Sequence, residues 1–327
     1  MNHFIHKVKN IEFYIILAVI HVFSVNISAQ QELRFTQFMY NKQSYNPGYV
    51  GSSNAACFTG IYRNQWIGFE GAPTTQVLTF GMPLSNGRIG VGGNISHASI
   101  GIENRVTMDG AYAYRIPLGS GNLGVGLQAS VRYRGINFND ARLIALEPIA
   151  KDAAIALGAQ SKYVPNFGVG AYYNNERFFV GLSAPRLLKN TLNFSEKTAT
   201  LASEERHIYF MSGVLLPFNA SWAVQPQVLI QYVNRAPLSV ELNTNLIYEE
   251  KYTAGLTYRP GGTPQNGSGE SLVFLAAGQL SNRLLLGLSY DVNLSKIRGV
   301  NDGSVELTLR YSVMQSEGSD FINPRFF

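Results

Sequence analysis

LGVGLQASVRY, Leu123–Tyr133, alternates without a break. Leu123, Val125, Leu127, Ala129, Val131 and Tyr133 fall on one face of an extended chain. Gly124, Gly126, Gln128, Ser130 and Arg132 fall on the other. Period-two alternation marks a strand with one apolar and one polar face. Strands of soluble sheets usually run to about 5–6 residues. A run of roughly 9–11 residues is the length that crosses the hydrocarbon layer at a tilt.

The pattern recurs along the chain. Val106, Met108, Tyr112, Tyr114 and Ile116 alternate with Thr107, Asp109, Ala113 and Arg115. Leu238, Val240, Leu242 and Leu246 alternate with Ser239, Glu241, Asn243 and Asn245. Val305, Leu307, Leu309, Tyr311 and Val313 alternate with Glu306, Thr308, Arg310 and Ser312. About fourteen such segments follow one another: near 56–66, 74–84, 88–97, 105–117, 122–135, 165–174, 177–184, 207–217, 221–233, 237–247, 252–259, 271–280, 283–294 and 304–313. The fold class this predicts is all-β, a transmembrane antiparallel barrel of about 14 strands over 56–313. An even strand number is what a bacterial single-chain barrel uses.

The connections sort by length. The even-numbered ones are short: Ser85-Asn86-Gly87, Gly119-Ser120-Gly121, Asn174-Asn175-Glu176, Phe218-Asn219-Ala220, Glu249-Glu250-Lys251 and Ser281-Asn282. The odd-numbered ones, 67–73, 98–104, 136–164, 185–206, 260–270 and 295–303, are longer, with Asn234-Arg235-Ala236 the exception. Short turns on one rim and long loops on the other are the habit of outer-membrane barrels. Long extracellular loops and periplasmic termini follow. The apolar faces then meet lipid. Arg63, Asp109, Arg132, Arg134, Glu241 and Arg310 point into the lumen as a paired polar network, because a charge on the lipid face near midplane costs roughly 2–4 kcal/mol.

The remaining segments are read by composition. Residues 1–29 form a secretory signal peptide: Lys7 and Lys9 precede an apolar run from Ile11 to Val25, and Ser28-Ala29-Gln30 offers a cleavage site. Residues 30–55 form a short N-terminal segment, periplasmic or plugging the lumen. Residues 314–327 form a periplasmic tail. With 14% charged and 12% aromatic residues the chain does not suit disorder. Lys and Arg are scattered rather than blocked, which excludes a nucleic-acid partner.

No enzyme, cofactor or metal is expected. Gly119-Ser-Gly-Asn-Leu-Gly124 matches a dinucleotide fingerprint but joins two alternating strands, where such a site needs a strand and a helix. His97 and His207 are far apart, and the single cysteine, Cys57, permits no internal disulfide. Glu204-Glu205 and Glu249-Glu250 fall in loops or turns, where solvated charge is the default.

Several stretches resemble a known family. They are FTQFMYN (35–41) followed by YNPGYVG (45–51), YRNQWIGFEGAP (62–73), TFGMPL (79–84), AYAYRIP (111–117) and the closing NPRFF (323–327). Together they resemble the PorP/SprF outer-membrane proteins of the type IX secretion and gliding machinery of Bacteroidota. The resemblance implies a cell-surface role in protein secretion. It implies partners: a secreted adhesin with a type IX C-terminal sorting domain, the periplasmic secretion ring and a peptidoglycan-binding lipoprotein. Within YRNQWIGFEGAP, Phe69 and Glu70 stand between two glycines beside Trp66, an exposed aromatic next to a charge, which makes these three the candidate partner-binding residues. Trp66 is expected in the outer aromatic girdle, on the face of Phe58 and Tyr62. A FadL-like or porin-like uptake channel is the alternative, since a fourteen-stranded barrel with an N-terminal segment also resembles the FadL-type transporters of hydrophobic molecules.

Overall fold

The structure is a computed structural model. It describes residues 32–53, 55–140, 142, 158–192, 202–234, 236–261 and 267–313. The signal peptide and the C-terminal tail expected at 1–29 and 314–327 lie outside the described residues.

Fourteen long strands form the wall. They are β1 (Ala56–Asn64), β2 (Thr74–Leu84), β3 (Ile89–Ile100), β4 (Glu103–Leu118), β5 (Gly121–Asn137), β6 (Ala159–Asn174), β7 (Phe178–Arg186), β8 (His207–Val214), β9 (Trp222–Val233), β10 (Ser239–Tyr248), β11 (Tyr252–Arg259), β12 (Gly267–Gln279), β13 (Leu284–Ser295) and β14 (Ser304–Val313). Each pairs antiparallel with the next, and β1 pairs with β14 from Ala56↔Val313 to Asn64↔Val305. The sheet therefore closes. Closure satisfies the backbone groups that an open edge would strand in lipid.

The pleat follows the alternation. In β5, Val125, Leu127 and Val131 are exposed, and Gln128 and Arg132 are buried. Leu242 and Leu246 point out of β10, and Glu241, Asn243 and Asn245 point in. Among the described residues no helix is long and apolar enough to cross a membrane; the strands do the crossing.

The short-turn rim is as expected. Gly119-Ser120 joins β4 to β5 as a hairpin turn with Gly119 at φ 59°, which settles the dinucleotide-like match as a turn. Ser85, Asn86 and Gly87 all take positive φ, as does the Glu249-Glu250 pair. The long-loop rim differs in detail. The loop expected at 98–104 is only two residues, 101–102, because β3 and β4 stay in register out to Ile100↔Glu103. Their outermost residues carry no turn signal, so loop length was overread. The 136–164 loop is also trimmed, since β5 runs to Asn137 and β6 starts at Ala159. Within 185–206, Asn190–Leu192 and Ala202–Glu204 pair as a small hairpin.

Short turns toward the periplasm give a topology that labelling can check. In a Cys57→Ser background, a cysteine at Lys189 should react with an impermeant maleimide on whole cells. One at Asn175 should stay unlabelled. The reverse pattern would invert the barrel.

Candidate functional site

Residues 32–53 run inside the barrel. Phe38, Val50, Asn46, Thr36 and Gln37 have no exposed surface. Three short 3-10 turns, Phe38–Tyr40, Lys42–Ser44 and Pro47–Tyr49, fold the segment into a compact body. The last turn starts where Pro presets φ, and Asn46 caps it by accepting from Gly48 N at 2.8 Å. The other end of the Asn46 amide donates to Ala171 O of β6 at 2.9 Å. The stretches FTQFMYN and YNPGYVG are thus the segment itself.

The receiving wall is made of small residues. A Cβ on Gly48 would meet Gly124 O at 2.8 Å, Tyr172 N at 2.9 Å and Gly170 O at 3.0 Å. From the wall, a Cβ on Gly126 would meet the backbone of Pro47 and Gly48. Segment and barrel touch backbone to backbone here, which only glycine on both sides permits. Aromatic edges complete the packing, with Tyr45 on Tyr209 and Tyr49 on Tyr172 at centroid distances of 5.3 and 5.2 Å. Lys42 lies 4.0 Å from the centre of the Phe179 ring.

The segment descends. Glu32 lies beside Arg132 and Arg186, toward the long-loop rim, and Ser53 lies beside Arg310 at the short-turn end. The chain then turns and climbs as β1. Both termini, expected at the short-turn rim, lie outside the described residues; Glu32, the first described residue, stands toward the long-loop rim. Alternation speaks only for strands, so it carries no signal for where a non-strand segment goes.

The charges of the lumen converge on this segment. Toward the long-loop ends of β1, β10, β11 and β14, Arg34, Arg63 and Arg259 face Glu241, Asp291 and Glu306. Arg34 donates to Glu241 at 2.8 Å and to Glu270 at 2.6 Å. Arg63 donates to Asp291 at 2.7 Å and to Glu306 at 3.3 Å. Arg259 donates to Asp291 at 2.7 Å and to Glu241 at 3.2 Å. Glu306, fully buried, accepts the backbone N–H groups of Thr36 and Gln37, each at 2.8 Å. Wall and segment are thus cross-linked through one carboxylate.

Against β5, Arg132 donates to Glu32 and to Glu204, both at 2.7 Å, and so ties the segment to the base of the outer hairpin. Arg186 joins Glu32 at 3.0 Å to Asp109 at 3.4 Å. Arg134 and Arg105 share Glu103. Arg310 hydrogen-bonds Ser53 at 3.1 Å and reaches the Cys57 sulfur at 3.7 Å.

All six residues expected in the lumen are inside, but they form separate groups rather than one network. Arg63 and Glu241 belong to the Asp291–Glu306 cluster, Asp109 and Arg132 to the Glu32 group, Arg134 to Glu103 and Arg310 to the segment's end. Sequence reasoning passed over Arg259 and Asp291, which the same alternation places inward. It had no signal for Glu32 and Arg34, which lie outside every strand.

Burial alone would raise the Glu32 carboxyl, but Arg132 and Arg186 outweigh it and hold Glu32 well below the usual carboxylate range. With its folded value depressed, this pairing contributes stability above the ordinary carboxylate pKa. The contribution disappears only as pH falls through the lowered folded value. Arg132→Leu strands Glu204, leaves Glu32 with Arg186 alone, and is expected to cost about 3–5 kcal/mol. The check is the temperature at which the heat-modifiable folded band is lost in gels. An unchanged temperature would mean the pairs contribute nothing. Adding Glu32→Gln and Glu204→Gln should recover part of the loss.

Above the segment a chamber of about 440 Å³ opens at the outer mouth, bordered by Arg63, Gln65, Trp66, Arg105, Arg134 and Glu270 among others. Trp66 was expected in the lipid-facing girdle. β1 ends at Asn64, Trp66 takes φ 50°, and the residue borders the chamber, its N–H donating to Ser304 Oγ at 3.2 Å. The break in extended geometry ends the alternation that the girdle reading needed. Phe58 and Tyr62, still in the strand, do face outward.

The rim loop is braced by its main chain. Gln65 N donates to Pro73 O at 2.9 Å and Phe69 N to Trp66 O at 3.0 Å. Ile67 N donates to Gly303 O and Ile67 O accepts from Asp302 N, both at 2.8 Å, and Gly101 N donates to Gly71 O at 2.8 Å. Phe69 is left 52% exposed, with Glu70 exposed beside it.

The family described as type IX secretion system membrane protein PorP/SprF matches residues 27–311. No curated protein matches the chain. Among solved structures, the Ralstonia pickettii toluene transporter TbuX is similar at a TM-score of 0.52 and 10% identity, covering 84% of this chain and 93% of that one. A deletion mutant of the monoaromatic hydrocarbon channel TodX is similar at 0.51 and 10% identity, covering 86% and 94%. The monoaromatic hydrocarbon channel CymD is similar at 0.50 and 12% identity, covering 85% and 92%. These likenesses concern the barrel fold.

Proposed function

Because the chain belongs to the PorP/SprF family of type IX secretion membrane proteins, we propose that this outer-membrane barrel serves secretion as a plugged docking platform. Its cargo is a secreted adhesin, whose C-terminal sorting domain it binds for export or for anchoring at the surface. The observation that carries this reading is the filled lumen: residues 32–53 occupy it and are held by buried charges from several strands. A barrel closed in this way is built to hold a partner rather than to pass solute. The rim loop supplies the docking surface, with Phe69 as apolar anchor, Glu70 as its charged neighbour and Trp66 behind them. The short-turn rim is the side available to the periplasmic ring and the peptidoglycan-binding lipoprotein.

Uptake of hydrocarbons, which the solved neighbours' names describe for those proteins, suits this chain less well. Its outer chamber mixes Leu33, Trp66 and Ile100 with five arginines and four carboxylates, and burying an apolar solute against those charges gains little. The test is direct. The barrel in lipid nanodiscs is titrated with the isolated sorting domain of its adhesin, and the same preparation is placed in planar bilayers. Saturable binding with silent bilayers is expected. Steady conductance without binding would overturn the proposal in favour of a channel.

A further inference from the structure

The outward wall carries a notch of about 370 Å³ across the β14–β1–β2–β3 seam. Its centre is Gly60, which pairs with Leu78 on one side and Leu309 on the other. A Cβ on Gly60 would meet nothing within 4 Å, so the notch is open where a side chain would otherwise stand. Leu78, Ile95 and Leu309 form its exposed apolar sides. Toward the short turns, the next outward pair along β1 and β2 is Phe58 and Phe80, with ring centroids 4.8 Å apart. Phe58 to Tyr62 spans about 13 Å of strand, the length of an acyl segment of roughly ten carbons.

The long-loop end of the notch is polar. Tyr62 pairs with Gln76, and Gln76 with His97, so the three side chains stand in one row across three strands on the outward face. None of the three side chains has a hydrogen-bond partner among the described residues. Polar groups on a face turned to lipid are costly unless something satisfies them. They lie two or three residues from the long-loop ends of their strands. They are a phenol, an amide and an imidazole, with no Arg or Lys in the row. Such groups match hydroxyls rather than phosphate, which selects cationic forks.

We propose that this notch is a specific glycolipid site of the outer leaflet. One acyl chain lies over Gly60 between Leu78 and Leu309, and the saccharide headgroup hydrogen-bonds to Tyr62, Gln76 and His97. The lipid surrounding any outer-membrane barrel supplies the occupant; the vacancy at Gly60 and the polar row make this stretch of wall selective.

The test uses the full-length barrel in nanodiscs of phosphatidylethanolamine containing a minor fraction of lipid A, followed by native mass spectrometry after stepwise removal of lipid. The wild type is expected to retain one lipid A molecule. Gly60→Leu fills the notch without a clash and should lower that retention about tenfold, the loss expected when contact for roughly two methylenes disappears. Gln76→Val with His97→Val should abolish the preference for lipid A over phosphatidylethanolamine. Heat-modifiable migration establishes that each variant is folded. Undiminished retention in Gly60→Leu, or wild-type retention of phosphatidylethanolamine in proportion to supply, would overturn the proposal.

Discussion

Replacing Phe69 and Glu70 together with alanine is expected to leave the barrel inserted and heat-modifiable while lowering surface display of the partner adhesin more than about tenfold, the loss that removal of one interface hot spot brings. The structure separates the two effects. The loop is held by main-chain bonds within 65–73 and to the neighbouring 101 and 302–303 segments, none of which uses the Phe69 or Glu70 side chain. Gly68 and Gly71 take φ of 87° and 74°, conformations that non-glycine residues adopt only with strain, so the turn is set by residues left untouched. Flow cytometry against the adhesin on whole cells reads the display, and co-purification reads the complex. Normal display in the double variant would reduce the loop to architecture and move the search to the connections at 138–158 and 187–206.

Gly48→Leu and Gly126→Leu are each expected to turn a silent barrel into a conducting one. They approach one contact from opposite sides. Gly48 belongs to the lumen segment and Gly126 to the β5 wall, and at both positions a Cβ meets backbone under 3.0 Å away. Backbone in a closed sheet cannot move aside as a side chain tip can. Relief comes from shifting the segment, whose own fold rests on 3-10 turns with few backbone bonds. The outer wall of β5 is unchanged, so insertion should persist. Single-channel recording in planar bilayers is the measurement. Two variants that behave alike would place the cause at their shared contact. A wild-type barrel that already conducts, or two variants that stay silent when folded, would show that residues 32–53 do not seal the lumen.

The barrel itself was legible in the chain. Alternation is a local property, and lipid outside with polar groups inside makes each residue's face a matter of parity alone. Leu127 outward and Arg132 inward needed no knowledge of their neighbours. The family was legible as well, because the lumen segment and its glycine seat are specified by short, unusual strings such as YNPGYVG.

What those strings do was decided only by tertiary structure. Parity places Arg63 and Glu306 on the inner face but cannot say that Arg63 bridges to Asp291 of β13, or that Glu306 accepts from Thr36 and Gln37. Partners across a lumen are fixed by closure, register and the path of the segment between them, all of them long-range. Trp66 makes the same point at a single residue. Its parity put it in lipid, and a turn one residue past the strand put it at the chamber. Glu32 and Arg34, outside every strand, had no parity to read. The sequence alone determined which surface each strand turns to lipid, because that follows from a period of two. Only the closed, filled barrel decided which charges meet, because meeting depends on three-dimensional distance, which residue spacing does not encode.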